Sequence, residues 1–134
     1  MNGIDSLPSF NILLLDSASV LNTKNFSDSD DLVMFLFDPY CEHCRAETES
    51  IVNSMEILKR KQFCFISVAK IEDLRSFSKN YRLDRFQNIH VGVDTGFVYI
   101  QSFRVRNVPH TTVFSRNRLR KVFVGATEAK ALLK

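Results

Sequence analysis

Apolar runs of strand length alternate along this chain with segments whose apolar positions recur every three or four residues, and the two patterns assign most elements. Leu7-Pro8-Ser9-Phe10-Asn11-Ile12-Leu13-Leu14-Leu15, the turn Asp16-Ser17-Ala18-Ser19 and Val20-Leu21 predict a strand pair, a lid ahead of the main sheet. Ser27-Asp28-Ser29-Asp30-Asp31 reads as a solvated polar connector. Leu32-Val33-Met34-Phe35-Leu36-Phe37 predicts a central strand that breaks at Asp38-Pro39, and a helix is expected over 42–59, ending in the basic cluster Lys59-Arg60-Lys61. A second strand, apolar on both faces, covers 62–69, and a helix follows over 71–81. Ile89-His90-Val91-Gly92-Val93 is a short strand, and Asp94-Thr95-Gly96 caps a helix reaching Phe103. Pro109 sits immediately before a strand ending at Phe114, Arg116-Asn117 turns the chain into a strand over 119–124, and a final helix is expected from Ala126 to the C-terminus. The order is β-β, then β-α-β-α-β-α, then a β-β hairpin and a closing helix. That arrangement predicts an α/β fold, a mixed central sheet flanked by helices on both faces, with an N-terminal strand pair.

The chemistry gathers where the central strand meets its helix, in Tyr40-Cys41-Glu42-His43-Cys44-Arg45-Ala46-Glu47. The first N–H groups of a helix lack internal partners and carry partial positive charge, so a sulfur held there is stabilised as thiolate. Cys41 occupies that place. Counting on from Cys44 gives Thr48, Ile51, Met55 and Leu58, one face of a 3.6-residue period, so Cys44 opens the buried stripe. An exposed attacking thiol with a resolving thiol directed inward is the asymmetry that disulfide exchange needs.

Composition narrows the alternatives. At 134 residues with 45% hydrophobic content, the chain suits a single domain with a substantial core. Three cysteines cannot all pair within one chain, which disfavours a disulfide-stapled scaffold. No apolar run approaches the roughly 20 residues of a membrane span. Met1-Asn2-Gly3-Ile4-Asp5 lacks the basic-then-apolar layout of a secretory signal, so the expectation is either a cytoplasmic protein or a trimmed, exported form. Charge is lopsided, with nine acids and two bases in residues 1–50 against six acids and sixteen bases thereafter. The excess lies in Arg104, Arg106, Arg116, Arg118, Arg120 and Lys121, but these cations alternate with apolar residues as on the wet side of strands, so no nucleic-acid partner is expected.

The C-x-x-C at a strand-to-helix junction, a proline opening a strand 65 residues after Cys44, and the closing hairpin and helix together resemble the thioredoxin superfamily. Within it, Leu7-Pro8-Ser9-Phe10 and the run 41–47 are similar to the TlpA/ResA-like thiol-disulfide oxidoreductases of bacterial cell envelopes. The resemblance implies a nucleophilic Cys41, a resolving Cys44, and a cis Pro109 against the sulfurs, with Tyr40 and Val108 meeting the extended chain of a substrate. It also implies a proton-exchanging Glu47 one turn beyond Cys44, and a His43 that favours the Cys41 thiolate while Glu42 opposes it. Implied partners are protein thiols or disulfides and a redox partner that the sequence does not name; no cofactor is implied, and the location implied is the periplasm or cell envelope. The chain departs from thioredoxin itself in carrying Tyr40 where thioredoxin has Trp, Glu42-His43 where it has Gly-Pro, and Phe35 where it has a buried aspartate.

Two rivals remain open at this point. Cys41, Cys44, His43 and His110, the last expected near the motif, are soft ligands for copper or zinc, and a non-catalytic binding module would keep the same fold. A peroxidase is disfavoured because Asp38 stands where the T-x-x-C of peroxiredoxins has threonine and Cys44 would resolve at once. Cys64 between two phenylalanines reads as a buried hydrophobe, and His90 and His110 as structural histidines.

Overall fold

The apolar run beginning at Leu32 forms β3 (Asp31–Leu36), in which every residue from Leu32 onward is buried. In this computed structural model, which describes residues 5–26 and 30–133, β3 is an inner strand of a seven-stranded sheet ordered β2-β1-β5-β4-β3-β6-β7. β3, β4 (Gln62–Ser67) and β5 (Ile89–Val93) run parallel; β1 (Asn11–Leu14), β6 (His110–Ser115) and β7 (Arg118–Val124) pair antiparallel with their neighbours, as does β2 (Val20–Asn22) with β1. Strand alternation divides the core. Val33, Phe35, Phe63, Phe65 and Val113 face α1 (Glu42–Asn53), α2 (Met55–Leu58) and α3 (Ile71–Tyr81), whereas Leu32, Met34, Leu36, Cys64, Ile66 and Phe114 face Tyr99 of α4 (Val98–Phe103) and Phe10 of the N-terminal segment. The mixed sheet, helices on both faces and the N-terminal strand pair match the sequence expectation. Among the described residues no helix is long and apolar enough to cross a membrane.

Four local expectations need correction. The strand pair is no lid, because β1 hydrogen-bonds along β5 and extends the sheet. Helix 42–59 is two helices, broken at Ser54 (φ −109°, ψ 12°), where Asn53 and Ser54, both weak helix formers, stand together. Asp31 belongs to β3 and lies 3.8 Å from Lys61 Nζ rather than in a solvated loop, while Ser27, Asp28 and Ser29 of the same connector lie outside the described residues. The expected C-terminal helix is a single 3-10 turn, Ala129–Leu132. Its two buried residues, Ala129 and Leu132, stand three apart and share one edge of a three-residue turn, and so short a segment gives an α-helix little to propagate on.

The turns follow their residues. Arg116 (φ 53°) and Asn117 (φ 63°) are both left-handed, the two-residue hairpin connection whose twist suits β6 and β7. The Asp94 carboxylate accepts the Tyr99 N–H at 2.8 Å and starts α4 as expected. Gly92 is required by proximity, since a Cβ there would stand 2.5 Å from both Ile12 Cγ2 and the Leu13 carbonyl oxygen, where β1 meets β5. Gly92→Ala should therefore cost about 2 kcal/mol, as overpacking of a rigid contact does, and should raise hydrogen exchange in β1 and β2 before the rest of the sheet. Denaturant melts and amide exchange on the variant check this; an unchanged midpoint would remove the claim that β1 docks here.

Candidate active site

Phe37 leaves the sheet at the C-terminal end of β3, its N–H still donating to the Ile66 carbonyl at 3.0 Å. Asp38 then builds the turn, because its Oδ1 accepts the Tyr40 N–H at 2.8 Å and its carbonyl accepts the Cys41 N–H at 3.1 Å. The turn delivers Cys41 to the N-cap of α1. There Cys41 Sγ accepts the Cys44 N–H at 3.2 Å, occupying the place a serine or aspartate oxygen takes at other helix starts. On its other side the same sulfur lies 3.8 Å from the Val108 carbonyl, as a thiol donor would. The Val108–Pro109 peptide is cis. Cys41 is half-buried, whereas Cys44 is wholly buried and begins the stripe of Thr48, Ile51, Met55 and Leu58, all of them buried. All three cysteines are free thiols. Burial pushes the Cys44 thiol far up, and the neighbouring Cys41 sulfur pushes it further.

Glu47 lies one turn along from Cys44, and only 1% of its surface is exposed. Its Oε2 accepts the Thr111 hydroxyl of β6 at 2.7 Å and its Oε1 accepts the Thr127 N–H of the C-terminal segment at 3.1 Å. Burial raises its pKa to about 7, with the two hydrogen bonds pulling the other way. Sequence reasoning missed Thr111 and Thr127. The signal for Thr111 was present: in a strand whose neighbour Val113 is buried on the α1 side, Thr111 shares that side two residues earlier, a polar group aimed into a core. Nothing local marks Thr127, whose contribution is a backbone donor.

His43 and Glu42 are exposed on the first turn of α1. Tyr40 is 69% exposed, and its hydroxyl donates to Asp73 of α3 at 2.9 Å, a partner the sequence did not suggest. Arg45 Nε donates to the Pro39 carbonyl at 3.0 Å and braces the turn from outside.

No family model matches the chain, and no curated protein matches it by sequence. Solved structures do. A secreted Mycobacterium tuberculosis disulfide oxidoreductase homologous to Escherichia coli DsbE is similar over 92% of this chain and 91% of its own, with 19% identity and a TM-score of 0.76. A thiol:disulfide interchange protein of the thioredoxin family from Chlorobium tepidum TLS covers 96% and 90%, with 17% identity and a TM-score of 0.77. StoA from Bacillus subtilis covers 94% of both chains, with 8% identity and a TM-score of 0.68. The fold is thioredoxin-like.

In this thioredoxin-like frame the rival set of soft ligands does not come together, because His110, expected near the motif, lies elsewhere. Strand parity places His110 opposite Thr111, on the α4 face, where its Nδ1 lies 2.9 Å from the Tyr99 hydroxyl. That hydroxyl also lies 3.0 Å from Thr112 Oγ1. No group of three or more potential ligands is found among the described residues. Cys64 lies on that second face as well, its thiol pushed up to about 12 by burial, and is a core residue as expected. His90 lies 3.0 Å from Gln62 Oε1.

The buried carboxyl makes stability depend on pH. Glu47 is raised in the folded chain from its ordinary 4.5 to about 7, so the folded state binds the extra proton between those values. Its contribution is fully present below pH 4.5 and is lost as pH rises through 7. Glu47→Gln should therefore gain on wild type by about 3 kcal/mol between pH 4.5 and pH 8. Paired denaturant melts at the two values read that difference; parallel curves would mean the carboxyl titrates normally.

Proposed function

We propose that the chain is a thiol-disulfide oxidoreductase acting on protein thiols and disulfides, and the observation that carries this is the inequality of its two sulfurs. Cys41 is reachable and accepts the Cys44 N–H at the start of α1, while Cys44 itself lies wholly buried. The solved structures of similar fold whose names describe disulfide oxidoreduction or thiol:disulfide interchange support the same reading.

In the reducing direction the Cys41 thiolate attacks one sulfur of a substrate disulfide. The substrate S–S bond breaks, a Cys41–substrate disulfide forms, and the departing thiolate takes a proton from solvent. Cys44 then gives its proton up, attacks Cys41 Sγ and displaces the second substrate thiol, leaving a Cys41–Cys44 disulfide; two electrons have passed to the substrate. Run backwards, the same steps oxidise a dithiol. Either direction needs a thiol or disulfide partner to reset the protein.

Glu47 is the group we assign to the Cys44 proton. While ionised it opposes a second negative charge at Cys44, and taking the Cys44 proton removes that repulsion at the moment the sulfur must attack. A carboxyl near 7 exchanges protons in both directions at neutral pH. Val108 and cis Pro109 form the ledge along which an extended substrate chain would lie, Tyr40 bounding the other side and His43 standing exposed beside Cys41 on the first turn of α1. The periplasm or cell envelope is the proposed location, supported by the secreted Mycobacterium relative in fold.

Reduction of insulin disulfides tests the assignment. Cys41→Ala should lower the rate to background, Cys44→Ala should accumulate a mixed disulfide visible by mass, and Glu47→Gln should slow its resolution by about 10²-fold at pH 7. Equal rates for wild type and Cys41→Ala would leave a non-catalytic module. Resolution unaffected in Glu47→Gln would remove Glu47 from the mechanism alone.

A further inference from the structure

The ledge beside Cys41 is the end of a short, tightly held loop carrying two exposed arginines. The loop leaves α4 at Arg104 (φ 52°), runs through Val105, Arg106 and Asn107, and reaches Val108, whose carbonyl faces Cys41 Sγ at 3.8 Å. Both ends are fixed. The Val105 N–H donates to the Ile100 carbonyl at 3.0 Å, and at the far end His110 is held by the Tyr99 hydroxyl and by the Phe103 ring, whose centroid lies 6.0 Å from its own. Between these anchors Val105 and Val108 turn inward and pack on the α4-side core, so Arg104, Arg106 and Asn107 are left exposed. Neither arginine has an ion pair among the described residues.

The opposite flank of Cys41 differs. There Asp38 and Asp73 are engaged by Tyr40, Arg45 by the Pro39 carbonyl, and Glu42 stands exposed. That flank also carries an exposed Lys70 at the start of α3, next to Asp73, so its charges are mixed, whereas the loop side presents two arginines and no acid. Asn107 alone lies between Arg106 and Val108, so their Cα atoms stand at most about 7 Å apart, which brings the guanidinium within roughly one Debye length of a chain lying on the ledge. Arginine's planar fork pairs two-pronged with a carboxylate.

Resting on the disulfide-exchange reading, we propose that Arg104 and Arg106 select the substrate, favouring proteins whose reactive cysteine has acidic residues within a few positions along the chain. The cations are displayed on a fixed loop, so little ordering is lost when a carboxylate engages them. Exchange itself is unchanged: the same S–S bond breaks and the same Cys41–substrate bond forms.

The test is single-turnover reduction by pre-reduced protein of short peptides with one central cysteine, capped as the mixed disulfide with neutral 2-mercaptoethanol. Two versions carry aspartates or lysines flanking that cysteine. The aspartate peptide should react about tenfold faster at low salt, with the ratio shrinking toward one as salt rises. In R104Q/R106Q the ratio should collapse, and in R104K/R106K much of it should persist, which separates loss of charge from damage to the loop. A ratio of one in wild type that still reduces the neutral 2-hydroxyethyl disulfide would overturn the selectivity and leave the oxidoreductase reading standing. No reduction of either peptides or the small disulfide would overturn both. A ratio unaltered in R104Q/R106Q would assign the preference elsewhere and defeat this proposal.

Discussion

The interaction on which the rest of this site depends is the N–H of Cys44 pointing at the sulfur of Cys41. A helix start normally satisfies that donor with a hard oxygen acceptor; a sulfur is a weaker acceptor as a thiol and a stronger one once it carries charge. The start of α1 therefore rests on the Cys41 sulfur, and several local contacts keep that sulfur there. Asp38 closes the turn with its side chain, Pro39 restricts its backbone, Arg45 braces it from outside, and β3 anchors it in the most buried part of the sheet. Each is ordinary by itself. Jointly they hold one sulfur at a helix end and the next one turn inward, where burial keeps it protonated.

The second constraint is the buried carboxyl of Glu47, through which α1, β6 and the C-terminal segment meet. A hydrophobic residue there would give a more stable core, since burying a carboxyl costs free energy that two hydrogen bonds offset only in part. Phe35 illustrates the contrast. It occupies the α1-facing core near Glu47's helix without a polar atom, its ring 4.8 Å from that of Phe65. The carboxyl on this face is thus carried by the helix, while β3 is apolar from Leu32 onward.

How much of this was legible in the sequence follows from how local each cause is. β3, the Cys44 stripe and the α4 cap were readable because period and capping chemistry act within a few residues. The docking of β1 on β5 was not, because it depends on the missing side chain of Gly92 meeting Leu13, a contact between distant parts of the chain. The break at Ser54 was hidden by an apolar stripe that continues across it through Met55 and Leu58. His110 was misplaced for a more instructive reason. Adjacency to Pro109 in the chain suggested adjacency to the sulfurs, whereas strand alternation sends consecutive side chains to opposite faces and hands the inward position to Thr111.

That same alternation separates two jobs that meet at Pro109. The α1 face holds the buried carboxyl, with Glu47 on Thr111, and the α4 face holds the loop, with Tyr99 gripping His110. The carboxyl and the loop's anchors share no hydrogen-bond partner, although the Glu47 charge is felt at the Tyr99 hydroxyl across the sheet. Groups that share no partners contribute nearly independently. A sheet one residue thick between them is what makes that possible, because a strand's neighbouring residues can belong to different cores while sharing one backbone. The buried carboxyl and the arginine-bearing loop can therefore vary separately in this fold, each on its own side of β6.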